Sequence, residues 1–262
     1  HPPPTDIYTN TESSAASDVY KRQQPHRPTR DVDFLAFGDS SEAGLKAIFR
    51  DLCNVTVEDD GLTLIADSVQ VEVIRDETEY GGIRVKLFGD LAGARVPIQA
   101  DIGFGDAVTP EANEIEYPTL LGNPAPHLRA YPRETVVAEK YQALVNLGMA
   151  NSRMKDFYDL WVIARKFDLN GKTLSEAIRN TFLRRRTRLP EHTPSGLSAE
   201  FHEDTQKNNQ WNAFLRRNAF AANPPSLTDV CSLLDKFLLP PTQAAFQKHD
   251  FLAKWEAGGP WR

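Results

Sequence analysis

The chain has 262 residues, of which 40% are hydrophobic and 25% are charged, proportions that exclude a fibrous repeat or a wholly disordered protein. The formal net charge of −6 argues against a surface that is basic throughout, so contact with nucleic acid must be confined to part of the surface. The two cysteines, Cys53 and Cys231, lie far apart in sequence and have no neighbours that complete a zinc cluster. No apolar run approaches the length of a membrane span, so the sequence predicts a cytoplasmic protein without membrane contact.

The first part of the chain differs in composition from the rest. Residues 1–27 are rich in Pro, Ser, Thr and Gln and contain almost no aliphatic side chains. Such a segment buries too little apolar surface to offset its ordering entropy. The stretch Ser13–Gln23 also resembles a translated cloning adapter. We therefore expect residues 1–27 to be a disordered or non-native tail.

Residues 28–132 have the patterns of an α/β domain. Alternating apolar residues predict strands, and the pair Asp39 and Glu42 indicates a helix start. The predicted elements are a strand over Val32–Phe37, a helix from Asp39 to Cys53, an antiparallel hairpin of Val69–Val73 with Ile83–Leu87, a strand over Val96–Phe104, and a loop over 107–132.

Residues 133–262 change to the period of α-helices and predict a helical C-terminal domain. The signals are a helix closed by Gly148, a second helix around Phe157–Ala164, a third opened by the capping box Thr173–Glu176, and a fourth opened by Ser226 and stopped by Pro240–Pro241.

Two carboxylates mark the start of the first predicted strand of the α/β domain. Asp31 and Asp33 are two residues apart, so they project to one side while Val32 and Phe34 enter the core. Neighbouring negative charges are costly unless a cation neutralises them, and Mg²⁺ prefers such oxygen ligands. Asp101, in a later apolar strand, is the candidate third ligand. The alternatives for the pair Asp31 and Asp33 are a solvated turn or an ion pair with an arginine, and Arg30 is adjacent.

Four ordered motifs together resemble the AbiEii/AbiGii toxin family, which consists of nucleotidyltransferase-like proteins of abortive-infection and type IV toxin–antitoxin systems. The motifs are Thr29–Phe34, Ile98–Asp106, Ala138–Val145 and Asn151–Leu160. The resemblance covers about residues 28–240. It implies a polymerase-β-like nucleotidyltransferase fold with a mixed sheet, followed by a helical C-terminal half. It also implies Mg²⁺, a nucleoside triphosphate (NTP) substrate, transfer of nucleotides to tRNA, and a cognate antitoxin encoded in the same operon.

The resemblance also assigns roles to individual residues. The matched positions are Asp31, Asp33 and Asp101 for metal binding and catalysis, Thr29 and Arg30 for nucleotide binding, Lys140 for catalysis and triphosphate contact, and Asp156 for catalysis. Without the motif, Lys140 is better explained as a solvated lysine paired with Glu139 or Glu134. Asp156 and Asp159 could equally be salt-bridge partners of Arg153 or Lys155. We favour Asp156 as the functional residue and expect Asp159 to anchor its helix.

A glycine-containing segment that binds the triphosphate precedes the acidic pair in the family, and this chain has no glycine before Gly38. We therefore expect the 262-residue chain to be impaired as an enzyme. Two alternatives stay open: transfer to a protein or small-molecule acceptor, and a catalytically dead remnant that only binds a partner.

A cluster of four arginines is a weaker signal for RNA binding. Arg184, Arg185, Arg186 and Arg188 follow the third predicted helix in an otherwise acidic chain. The alternative is that these charges complement the helix dipole at its C-terminal end.

Overall fold

The chain was analysed as a computed structural model that describes residues 6–10, 32–74, 82–116, 124–218 and 224–262. The chain divides into two compact units. The first comprises the described residues up to Asp106 together with Asn113–Tyr131, and the second comprises Ala107–Ala112 and Pro132–Arg262.

The first unit is built around a mixed sheet. Its elements are β1 (Asp6–Asn10), β2 (Val32–Phe37), α1 (Glu42–Cys53), β3 (Leu62–Ile74), β4 (Gly82–Leu91), β5 (Ala94–Phe104), β6 (Asn113–Glu116) and β7 (His127–Ala130). Over the described residues, seven strands lie in the order β3-β4-β5-β2-β1-β7-β6. The β2–β5 and β1–β7 pairs are parallel, and the remaining pairs are antiparallel.

One face of this sheet is covered by α1. The alternating residues Val85 and Ala100 lie opposite each other on β4 and β5 and are buried in one cluster with Leu45 and Phe49 of α1. Phe34 packs against the same cluster, as the sequence predicts. The side chains that alternate with these residues must therefore project from the opposite face.

The second unit is helical with a large apolar core. Its elements are α2 (Arg133–Leu147), α3 (Met154–Lys166), β8 (Leu169–Asn170), α4 (Gly171–Arg184), α5 (Ala199–Glu203), α6 (Thr205–Arg217), α7 (Leu227–Gln247) and β9 (Lys254–Trp255), with short 3₁₀ turns at Gly148–Ala150 and Ser195–Leu197. Helix α4 packs on α2 and on α7. The predicted fold class, a mixed sheet with helices followed by a helical half, is confirmed.

Two features of the first unit differ from the sequence predictions. The predicted loop over 107–132 contains β6 and β7, which pair with each other, and β7 also pairs with β1. These four-residue strands carry no strong alternation and are stabilised by their neighbours in the sheet. Asp6–Asn10, in the segment predicted to be disordered, forms a strand antiparallel to β2. Its Ile-Tyr-Thr sequence has high β-propensity.

The other differences concern where elements begin and what they bury. Val32 was expected in the core but is 37% exposed, because it is the first residue of β2. Helix α1 is capped by Ser41, whose hydroxyl accepts from the Gly44 N–H, and not by Asp39. Helix α4 is capped by Asn170, so the predicted cap Thr173 lies in its first turn. The predicted cap Ser226 of α7 is confirmed.

Helix α7 continues through Pro240 and Pro241 to Gln247, so the predicted stop is wrong. A proline at position 241 cannot donate to the carbonyl of Phe237, four residues earlier. The indole N–H of Trp261 donates to that carbonyl instead, at 3.0 Å. Burial of Pro241, Thr242 and Ala245 also holds this part of the helix in the core.

Residues 107–112 belong to the second unit, where Thr109 forms hydrogen bonds with α2 and α4. The Thr109 N–H donates to the Thr135 hydroxyl at 2.9 Å, and the Asn180 side chain donates to the Thr109 hydroxyl at 2.9 Å.

Cys53 and Cys231 are both free thiols. Among the described helices, none combines the length and the hydropathy that a bilayer span requires.

Candidate functional site

Two of the predicted metal ligands are neighbours on the sheet. Asp33 of β2 lies directly opposite Asp101 of β5 in the parallel pairing of these strands. Adjacent strands are about 4.8 Å apart, and residues opposite each other project to the same face. Phe34 and Ile102, the next pair along, belong to the apolar cluster under α1. The two carboxylates therefore stand side by side on the face that α1 does not cover.

Asp101 also has a cationic partner. Arg84 lies opposite Asp101 on β4. Its Nε donates to Oδ1 at 2.8 Å and its Nη2 donates to Oδ2 at 2.7 Å. The partner of Asp101 is thus Arg84, which nothing in the sequence had singled out. Its signal is the alternation of β4, where Arg84 separates the buried residues Ile83 and Val85.

The row of charged residues formed by Asp33, Asp101 and Arg84 extends to β3. Glu72 of β3 lies opposite Arg84. The Lys86 ammonium donates to both Glu72 carboxylate oxygens, at 2.8 and 2.9 Å. Charges therefore alternate in sign across β3, β4 and β5, and Asp33 adds a second negative charge next to Asp101 on β2.

The donor chemistry of the pair fits a hard divalent cation. Asp33 and Asp101 offer carboxylate oxygens side by side, which is the ligand type that Mg²⁺ prefers. Within the described residues, no group of three or more His, Cys, Asp or Glu side chains is arranged to hold a metal ion. Asp31, the third predicted ligand, lies outside the described residues, as do Thr29 and Arg30.

A second charged cluster lies in the helical unit. The Lys140 ammonium on α2 donates to Asp156 Oδ1 at 3.1 Å and to Asp159 Oδ2 at 3.0 Å, both on α3. Lys140 is 8% exposed and Asp156 is 2% exposed. Burial alone would lower the pKa of Lys140, but the charges of Asp159 and Asp156 outweigh it, so the pKa lies above that of an exposed lysine. Lys140 is therefore a permanent cation at neutral pH.

The contacts in this cluster show which ion-pair partners Lys140 and Asp156 have. Lys140 is not a solvated lysine paired with Glu139 or Glu134, because it is buried between two aspartates. Asp156 also forms the alternative ion pair, with Arg153 Nε 2.8 Å from its Oδ2. Asp159 contacts Lys140 as closely as Asp156 does. Its signal in the sequence is the three-residue spacing, which places both carboxylates on adjoining positions of one helix.

The four arginines have different surroundings. Arg185 is partly buried, donates to the Gln142 side chain at 3.2 Å and lies 3.7 Å from Glu139. Arg188 pairs with Glu191 at 2.7 Å. Arg184 and Arg186 are exposed. Arg185 is thus a structural contact of α2, and Arg184, Arg186 and Arg188 are the exposed members of the cluster.

The comparisons with solved structures give distant similarity. JHP933 from Helicobacter pylori is 14% identical with a TM-score of 0.45, over 92% of this chain and 84% of that chain. A second H. pylori structure, described as a candidate nucleotidyltransferase, is 14% identical with a TM-score of 0.45, over 92% of this chain and 87% of that chain. A comparison with curated protein sequences finds no significant match.

The comparison with protein families gives a match over most of the chain. The model of the nucleotidyl transferase AbiEii toxin of type IV toxin–antitoxin systems matches residues 19–247. It includes β2, β5, α2 and α3, which carry the two charged clusters, and it agrees with the resemblance found in the motifs. The chain therefore belongs to the AbiEii family of nucleotidyltransferase toxins, whose type IV systems pair each toxin with an antitoxin.

Proposed function

We propose that the chain is a Mg²⁺-dependent nucleotidyltransferase that transfers nucleotides from an NTP to an RNA acceptor, tRNA, in the cytoplasm. The observation that carries this proposal is the in-register pair Asp33 and Asp101 on the face of the sheet opposite α1. Family membership supports the nucleotidyl transfer. The metal and the acceptor are our inference from the site chemistry and the motifs.

The residues assigned to the metal are Asp31, Asp33 and Asp101, with Thr29 and Arg30 as further nucleotide contacts. Bound Mg²⁺ would neutralise the triphosphate and stabilise the charge that develops during transfer. The rigid sheet holds Asp33 and Asp101 in fixed positions, since their strands are hydrogen-bonded neighbours. Fixed backbone positions keep the two carboxylates close together when the nucleotide binds.

The proposed transfer is a single displacement at the α-phosphorus. The acceptor hydroxyl oxygen forms a bond to this phosphorus, and the bond from phosphorus to the α,β-bridging oxygen breaks. Pyrophosphate leaves with the bridging oxygen, and the hydroxyl proton passes to a carboxylate oxygen of Asp33. Asp33 lies opposite Asp101 in the same register row and is our candidate for the proton acceptor.

Lys140 and Asp156 have an electrostatic role in this proposal. The motif match assigns Lys140 to triphosphate contact, and its raised pKa keeps it charged at neutral pH, so it cannot serve as a general base. Asp156 and Asp159 hold the ammonium in place through the two hydrogen bonds described above.

The cognate antitoxin would act on the operon as a transcriptional repressor.

The RNA acceptor is supported by the exposed arginines Arg184 and Arg186. The contacts of Arg185 with Gln142 and Glu139 and the ion pair of Arg188 with Glu191 reduce that support, because these charges already have partners within the chain. A protein or small-molecule acceptor is the competing outcome of the tests below.

Asp33→Asn and Asp101→Asn should each reduce nucleotide incorporation by at least about a hundredfold, since each removes a charge that the metal requires while keeping the side-chain shape. The measurement is incorporation of radiolabelled nucleotide into purified tRNA with Mg²⁺. Asp67→Asn is the matched control, because Asp67 is an exposed carboxylate of β3 paired only at the surface with Arg50. Equal activity of Asp33→Asn and the control would contradict the proposed site.

Lys140→Met should destabilise the chain by up to about 3–5 kcal/mol, because it removes the buried cation between Asp156 and Asp159 and leaves Asp156 with its pair to Arg153. The raised pKa means that the stabilisation from Lys140 is complete below about pH 10 and fades only as pH rises through the folded-state value. The difference from wild type in urea unfolding should therefore stay constant between about pH 7 and pH 9.

Lys155→Met is the control for this substitution, since Lys155 is exposed on the same helix as Asp156. It should change the unfolding free energy by less than about 0.5 kcal/mol. A difference between wild type and Lys140→Met that already shrinks between about pH 7 and pH 8 would mean that Lys140 titrates there and is not a permanent cation.

The double substitution Arg184→Gln with Arg186→Gln should weaken tRNA binding and lower the magnitude of its salt slope by about 1.5, which corresponds to two lost phosphate contacts. Binding is measured by fluorescence anisotropy over a range of KCl concentrations. Arg50→Gln, an exposed arginine of the first unit, should leave the slope unchanged. An unchanged slope in the double variant would remove the support for an RNA acceptor at this surface.

A further inference from the structure

Arg84 and a divalent cation compete for the same carboxylate. The guanidinium binds both Asp101 oxygens in a bidentate pair, with distances of 2.8 and 2.7 Å. Bidentate arginine–carboxylate pairs are among the stronger and more directional hydrogen-bonded contacts in proteins. A cation that approaches Asp101 meets a positive charge already in place, so metal binding must displace Arg84 or be weakened by it.

The guanidinium also reduces the repulsion between the two carboxylates. Asp33 and Asp101 lie opposite each other on adjacent strands, and like charges at such positions are destabilising. Asp101 is partly buried, with a side chain 19% exposed, so water screens this repulsion less than at an open surface. Arg84 reduces it by neutralising one member of the pair.

A second carboxylate flanks Arg84 on its other side. Glu72 lies opposite Arg84 on β3, as Asp101 does on β5, so one register row places Arg84 between two acids. Glu72 is held by Lys86, and its side chain is 50% exposed. Its exposed carboxylate can accept a second cationic partner without a new buried charge.

We propose that Arg84 is an internal counterion that holds Asp101 until Mg²⁺ binds and then moves to Glu72. Arg84 is thus a positioning residue that sets the affinity for Mg²⁺ and acts through Asp101. The inference rests on the proposed function, because it takes Asp33 and Asp101 as metal ligands. It adds an exchange of cations: one guanidinium leaves Asp101 as one metal ion arrives.

The test is isothermal titration of Mg²⁺ into the purified chain, with thermal unfolding in EDTA and in Mg²⁺ as a second readout. Arg84→Gln should bind Mg²⁺ about fivefold more tightly than wild type, because the competing charge is gone. The same variant should unfold at a lower temperature in EDTA and gain more from added Mg²⁺ than wild type gains. Arg84→Lys, which keeps the charge but loses the bidentate contact, should lie between the two.

Glu72→Gln should change the affinity in the opposite direction, since Arg84 then has no second carboxylate to move to. The matched controls are Arg50→Gln and Asp67→Asn, which make the same charge changes in a surface ion pair of the same unit. Both should leave the Mg²⁺ affinity within about twofold of wild type, because exposed pairs contribute little.

The outcomes separate the inference from the proposed function. Mg²⁺ binding to wild type that is lost in Asp101→Asn but equal in Arg84→Gln and Arg84→Lys overturns the counterion role and leaves the metal site intact. Binding that is absent from wild type and from both Arg84 variants overturns both proposals. A gain in Arg50→Gln as large as that in Arg84→Gln overturns the exchange in favour of a general charge effect. Circular dichroism of each variant establishes that it is folded.

Discussion

The constraint on which this structure depends is the placement of two aspartates in one register row of a sheet. Asp33 and Asp101 are 68 positions apart in the sequence, yet the parallel pairing of β2 and β5 puts them opposite each other. Like charges at such positions cost free energy. A chain that keeps them needs a compensating cation nearby, and the Arg84 guanidinium is paired with Asp101.

The remainder of the first unit makes this placement rigid. The face that carries Val85, Ala100 and Ile102 is buried under α1, and a shift of one residue in register would turn those side chains out of the core. The stability of the apolar face therefore fixes the geometry of the polar face. In the helical unit, the charge of the largely buried Lys140 is likewise held by carboxylates, those of Asp156 and Asp159.

The sequence was sufficient for those parts of the fold and site that depend on local pattern. Alternation located β2 to β5, and helical spacing located α2, α3 and α7. The partner of Asp101 depends on the register of the β4–β5 hairpin, which is set at its turn. Ala92 and Gly93 have φ values of 50° and 85° and form a two-residue turn that puts Leu91 opposite Ala94. This turn places Arg84 opposite Asp101 further along the hairpin. Because Ala-Gly is not a strong turn signal, the sequence did not predict this register.

Other differences arise from contacts between distant segments. The continuation of α7 through Pro241 depends on Trp261 donating to the Phe237 carbonyl, which no local pattern reveals. The burial of Lys140 depends on how α2 packs against α3, so a lysine that would be solvated on an isolated helix is enclosed by Asp156 and Asp159. Residues 107–112 read as loop, and only the bonds of Thr109 show that they belong to the helical unit.

The most direct test of the central claim, that the Asp33–Asp101 pair is the metal site, is a crystal structure of the chain grown with Mn²⁺ and a non-hydrolysable NTP. Anomalous scattering locates Mn²⁺ independently of the refined coordinates. Our account predicts an anomalous peak within coordination distance of carboxylate oxygens of both Asp33 and Asp101. A fully occupied peak elsewhere on the chain, with the Arg84–Asp101 pair unchanged, would contradict it.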